Sequence, residues 1–116
     1  MAAKKKRPAA ARKRAPNQYH VYVIELKPEA IHAARRRERP LPKCYYVGQS
    51  VRTPEERYQQ HVDGYKSASI VTRHHVRLRP DLFPAENPVS TRAEAEALEE
   101  LVALALERAG HDVHWG

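Results

Sequence analysis

The stretch Cys44-Tyr45-Tyr46-Val47-Gly48-Gln49-Ser50-Val51-Arg52-Thr53-Pro54-Glu55-Glu56-Arg57-Tyr58-Gln59-Gln60-His61 carries a strand signal and a helix signal in immediate succession. Its opening residues, Cys44 to Gly48, form a β-type run on which Cys44, Tyr46 and Gly48 share one face while Tyr45 and Val47 share the other. Thr53 then offers a helix cap, Pro54 suits the first helical turn, and Glu56 stands where a capping box requires it. The helix is expected to reach about Asp63, with Gly64 as its stop. At about 100° per residue, Arg57 and His61 fall on one stripe, beside an apolar edge made by Tyr58 and Val62. A phenol at a strand end, a glycine that clears space beside it, and a guanidinium on the next helix are parts from which a phosphodiester-cleaving site can be built.

Working outward, Tyr19 to Leu26 is a β-branched and aromatic run whose alternation places His20, Tyr22, Ile24 and Leu26 on one face of a first strand. A long connection follows over residues 27–43, with a short helix expected at 28–34 before the cluster Arg35, Arg36, Arg37 and Arg39, and with Pro40 and Pro42 at its end. A short helix is expected around Ile70 to His74, a third strand over Val76 to Arg79, and a loop from Asp81 to Pro88. Thr91 and Glu94 make a second capping box, opening a helix that continues to Ala109 before Gly110. Its apolar face reads Ala95, Leu98, Leu101, Val102, Ala105, Leu106 and Ala109. Glu99 flanks that face, one turn from Ala95 and one turn from Ala103. Two readings of it stay open: a carboxylate held near the sheet in a shallow groove, which then needs a partner, or a boundary glutamate with its head in water. His111 to Trp115 is read as a short edge strand.

The chain has 116 residues and a formal net charge of +7, a length that allows one domain. The charge is uneven: Lys4, Lys5, Lys6, Arg7, Arg12, Lys13 and Arg14 stand in residues 1–16 with no acid among them. Setting those seven aside from the 21 Lys and Arg leaves 14, which balance the 14 Asp and Glu. Residues 1–16 are therefore read as a disordered basic tail that binds a polyanion, DNA or RNA, by counterion release, and residues 17–116 as the folded domain. No run approaches the roughly 18 apolar residues of a membrane span, and the first residues lack the apolar centre of a secretory signal. The expected setting is cytoplasmic, nucleoid-associated in a bacterial cell or nuclear in a eukaryotic one, with the protein a monomer. Cys44 is the single cysteine and reads as a small buried apolar group. His74 with His75, and His111 with His114, point to opposite faces of a strand, so neither pair reads as a zinc site.

With Tyr22 on the first strand, Tyr46-Val47-Gly48 on the second, Arg57 and His61 on the next helix and Glu99 on the last, the chain resembles the GIY-YIG nuclease superfamily, over about residues 19 to 116. It is most similar to the small single-domain bacterial proteins of that group. The resemblance implies an α/β (α+β) fold, a three-stranded antiparallel sheet flanked by helices, and an endonuclease that hydrolyses phosphodiester bonds in DNA with one Mg²⁺ (or Mn²⁺). Residue by residue it implies that Glu99 is the metal ligand, that Tyr22, Tyr46, Arg57 and His61 are catalytic, and that Gly48 is structural in the motif. The chain departs from the pattern in having His20 where the first tripeptide has glycine, Gln49 after Gly48, a longer separation of Tyr22 from Tyr46, and no asparagine after Glu99.

The chemistry suits these residue types. Mg²⁺ keeps most of its waters and commonly needs one or two carboxylates plus substrate phosphate. Arg57 can grip a phosphate oxygen, and a phenol from Tyr22 or Tyr46 can orient or deprotonate water, with His61 as the relay for the proton. Other readings remain open on the sequence: Tyr22 and Tyr46 as packing aromatics, Arg57 as an ion-pair partner of Asp63 or Glu56, and His61 as a satisfied boundary histidine. For the whole chain, the alternatives are a catalytically weak or inactive nucleic-acid-binding module of the same fold, or an RNA- or ribosome-associated basic protein.

Overall fold

A computed structural model describes residues 18–116. The basic tail expected over residues 1–16, with its seven cations, lies outside the described residues. Four strands form one sheet: β1 His20–Leu26, β2 Cys44–Ser50, β3 His75–Leu78 and β4 Asp112–Trp115. Three α-helices accompany them: α1 Pro54–Asp63, α2 Ser69–His74 and α3 Arg92–Arg108.

The sheet order is β3-β1-β2-β4, with β1 antiparallel to β2 and to β3, and β4 parallel to β2. The α+β class therefore stands, while the expected three-stranded antiparallel sheet is corrected to four strands of mixed direction. Parallel neighbours require a crossover on one face of the sheet. The chain between β2 and β4 includes α3, which packs on both of those strands and supplies such a connection.

Both faces of the sheet are covered, which explains the unbroken apolar run Val21 to Ile24 on β1. On one face Val21, Val23, Tyr45, Val47 and Val113 pack beneath Leu98, Ala103 and Leu106 of α3. On the other, Tyr22, Ile24, Leu26 and Cys44 pack with Ala30, Ile31 and Val71, and Tyr58 of α1 lies against them. The β1–β2 connection holds two 3₁₀ turns, Pro28–Ala30 and Ala33–Arg35, in place of the expected helix. Burial of Ala30, the last residue of the first turn, and of Ile31 after it pins the connection to the core.

Both capping boxes form as read. Thr53 Oγ1 accepts from the Glu56 backbone N–H at 3.2 Å and the Glu56 carboxylate accepts from the Thr53 N–H at 3.1 Å. Thr91 and Glu94 repeat the exchange at 3.1 Å in both directions. Gly64 ends α1 at φ +79°, a left-handed conformation that glycine adopts without penalty.

The buried face of α3 differs from the expected one. Ala95, Leu98, Glu99, Ala103 and Leu106 face inward, while Ala105 and Ala109 are exposed and Leu101 is 63% exposed. The helix is turned so that its alanine-lined stripe, rather than its Leu101 side, lies against the sheet, because small residues let the helix backbone approach closely. Glu99 comes inward with that stripe.

Candidate active site

β4 is short, and its length creates the site. It pairs with β2 only from Cys44 opposite Asp112 to Val47 opposite Trp115. Gly48 and Gln49 extend beyond the end of β4, leaving a notch at the sheet edge. There a groove of about 400 Å³ opens, lined by Tyr46, Gly48 and Gln49 from β2, by Arg92, Glu96, Glu99 and Glu100 from α3, and by Trp115 and Gly116. Through this notch a carboxylate on one layer of the fold meets a phenol on the other.

Behind the groove the β1–β2 register sets Tyr22 directly across from Gly48. The Tyr22 ring lies over that glycine: a Cβ there would stand 2.6 Å from the Tyr22 hydroxyl oxygen and 3.0 Å from Cε2 of Tyr46. Gly48 is thus required by close approach of two aromatic rings. Tyr22 is 1% exposed, and its hydroxyl lies 2.9 Å from His61 Nε2. His61 comes from α1, is fully buried, and also packs edge-on to Tyr46, with ring centroids 5.5 Å apart.

The hydrogen-bond chain fixes the tautomer of His61. Ser67 Oγ donates to the Ala68 carbonyl at 3.1 Å, so in its 2.7 Å contact with His61 Nδ1 it accepts. The proton therefore sits on Nδ1, and Nε2 presents a lone pair to the Tyr22 O–H. A directed line results, from Tyr22 through His61 and Ser67 to the Ala68 carbonyl. Burial, reinforced by the Arg57 and His75 charges, pushes His61 down to about 4, so its ring is neutral at neutral pH.

Both phenols are pushed up, chiefly by burial. For Tyr22 the neighbouring Tyr46 adds to the rise and Arg57 opposes it. For Tyr46 the Glu99 carboxylate adds to it and Arg57 again opposes it. The Tyr46 side chain is half-buried and opens onto the groove, whereas Tyr22 stays behind it.

Glu99 is 7% exposed. Of its two open readings, the carboxylate in a groove is the one observed. The backbone N–H of Gly116 donates to its Oε2 at 3.1 Å, its one hydrogen-bond partner among the described residues. Burial raises its carboxyl, the Gly116 N–H opposes that, and Glu96 adds a little to the rise. Glu96 and Glu100 line the same groove, Glu96 being paired with Arg92, so Glu99 is the buried carboxylate there with an oxygen type that suits a hard divalent cation.

Arg57, expected to grip a phosphate oxygen, makes its hydrogen bonds within the protein. Its guanidinium donates to Gln60 Oε1 at 3.0 Å and to the carbonyls of Tyr65 and Lys66 at 3.1 and 2.7 Å, and it is not part of the groove lining. Neither Asp63 nor Glu56 is its partner in those bonds. Its field still reaches both phenols and His61. The cation that does line the groove is Arg92, paired with Glu96 at 3.3 Å. Sequence reasoning missed Arg92, Ser67 and Gly116, which enter only through the closing of α3, the α1–α2 turn and β4 upon the motif residues. Comparison with protein families, with curated proteins and with solved structures finds no match to the chain.

Proposed function

We propose that this protein is a metal-dependent endonuclease of the GIY-YIG type, hydrolysing phosphodiester bonds in DNA. The observation that carries the reading is the meeting, at one groove, of the buried Glu99 carboxylate with Tyr46, backed by the hydrogen-bonded pair Tyr22 and His61. Four side chains distant in sequence share one electrostatic environment there, with Glu99 and Arg57 pulling the phenols in opposite directions.

Glu99 would hold Mg²⁺ or Mn²⁺, which when bound would supply positive charge to the leaving 3′ oxygen. Tyr46, the groove-facing phenol, orients the attacking water. Neutral His61 positions the aromatic pair through its hydrogen bond with Tyr22, and Arg57 makes charge on either phenol less unfavourable. Arg92 is placed to leave Glu96 for a phosphate oxygen.

A second reading has its own support. The Tyr22 hydroxyl is buried beside His61, and Arg57 donates to the Tyr65 and Lys66 carbonyls, an arrangement equally suited to a non-catalytic nucleic-acid-binding module. Incubation with supercoiled plasmid separates the two. An endonuclease gives nicked circles with Mg²⁺ and none with EDTA; a binding module gives none in either condition while still retarding the DNA.

A further inference from the structure

The face of β4 turned away from α3 presents Asp112 and His114, two positions apart on one side of the strand. Asp112 is 2% exposed. His32 reaches it from the β1–β2 connection, where the buried neighbour Ile31 anchors the backbone. The His32 backbone N–H donates to Asp112 Oδ2 at 3.0 Å, and His32 Nδ1 lies 2.9 Å from both carboxylate oxygens. His114 Nε2 stands 3.7 Å from Oδ2, and its ring stacks on His32 with centroids 4.1 Å apart.

We propose that His32, Asp112 and His114 form a binding site for a borderline transition-metal dication, Zn²⁺ or Co²⁺, separate from the groove at Glu99. One ligand atom from each residue lies within 4.8 Å of the others. A tetrahedral ion with bonds of about 2.0 to 2.1 Å needs ligand atoms about 3.3 Å apart, and the 2.9 and 3.7 Å separations straddle that value. Two imidazoles and one carboxylate favour Zn²⁺ or Co²⁺ over Mg²⁺ or Ca²⁺, which take oxygen ligands. A fourth position stays open, because the His32 side chain is 53% exposed and a surface depression is lined by both histidines.

The supporting shell is also present. Cys44 Sγ donates to Asp112 Oδ2 at 3.6 Å, and the Arg35 guanidinium stands 3.8 Å from Oδ1, holding the carboxylate in place. Binding moves the His32 proton from Nδ1 to Nε2 and releases His114 Nε2 from its 2.7 Å bond to the Ala30 carbonyl. The ion would clip the β1–β2 connection to β4, the strand whose end carries Trp115 and Gly116 to the groove.

Trp115, the single tryptophan of the chain, sits next to His114 and reports on the site. Titrating the tag-free full chain with Co²⁺ alone should give one equivalent of binding, visible as absorption bands of a low-symmetry Co²⁺ centre and as quenching of Trp115 fluorescence. His32→Ala changes an exposed side chain and leaves the fold in place; it should weaken binding about tenfold or more, as should His114→Ala. His111→Ala should bind as the parent does. No stoichiometric binding, or binding that survives His32→Ala, overturns the site and leaves His32 and Asp112 as a latch between two segments.

Discussion

The Tyr22 hydroxyl lies 2.9 Å from His61 Nε2, and the proton between them belongs to the phenol, because Ser67 accepts from the other ring nitrogen. Tyr22→Phe removes that proton and strands a buried acceptor. An unsatisfied buried group costs about 1 to 3 kcal/mol, and each kcal/mol lowers Tm by about 4 to 8 °C in a domain of this size. If the pair moves a proton during hydrolysis, nicking should also fall by about 10² to 10⁴-fold in protein that remains folded. Paired melting curves and nicking rates check this; a variant that melts early yet cuts at the parental rate assigns the pair to packing.

Gly48→Ala should be harmful for a steric reason. The new methyl would stand 2.7 Å from Tyr22 Cζ and 3.0 Å from Tyr46 Cε2, and the Tyr22 ring is held by His61 and cannot swing away freely. Overpacking of this kind costs about 1 to 3 kcal/mol. Urea denaturation measures it, and an unchanged midpoint would mean that the two strands separate easily at that point.

The fold was legible where its signals are local. Thr53 with Glu56 and Thr91 with Glu94 announce their helices within four residues, and β1 and β2 declare themselves by alternation. What was hidden depends on closure over long distances. The parallel pairing of β4 with β2 has no signature in residues 111–115, since the crossover through α3 sets its direction. The inward turn of Glu99 could not be chosen from helical periodicity, because the Leu101 side and the alanine-lined side of α3 compete and only packing against the sheet decides. Arg57 was placed correctly beside His61 on α1, yet its guanidinium is drawn toward the Tyr65 and Lys66 carbonyls by a turn whose course no local residue announced. His32 meets Asp112 across 80 positions, a separation that periodicity does not reach.

The depressed His61 pKa makes stability fall in acid. The folded value is about 4 against about 6.5 for a free imidazole, so between those values the unfolded chain binds more protons. The contribution is therefore whole above about pH 6.5 and is lost as pH falls toward 4, a change of the order of 3 kcal/mol. Asp112, held low, acts in the same direction, while Glu99, held high, acts against it. The His61 share is the difference between the parent and His61→Gln. Unfolding free energies across that range should show a shallower slope in the variant, and equal slopes would contradict a buried neutral imidazole.

Lys4, Lys5, Lys6, Arg7, Arg12, Lys13 and Arg14 lie outside the described residues, and their role rests on charge. Each duplex phosphate neutralised contributes about −0.9 to the slope of log K against log salt. Removing residues 1–16 should then flatten the slope for DNA binding by up to about 6 units. A slope that does not change would assign the tail to another partner.

Glu99→Gln separates metal-dependent cleavage from mere binding, since it keeps the shape of the side chain on α3 and the bond from Gly116 while removing the charge. The nicking rate on supercoiled plasmid with Mg²⁺, measured beside DNA affinity, gives the answer. Nicking should be lost while DNA is still bound, because the substitution removes no cation that could contact phosphate. Parental nicking by the Glu99→Gln protein would contradict it.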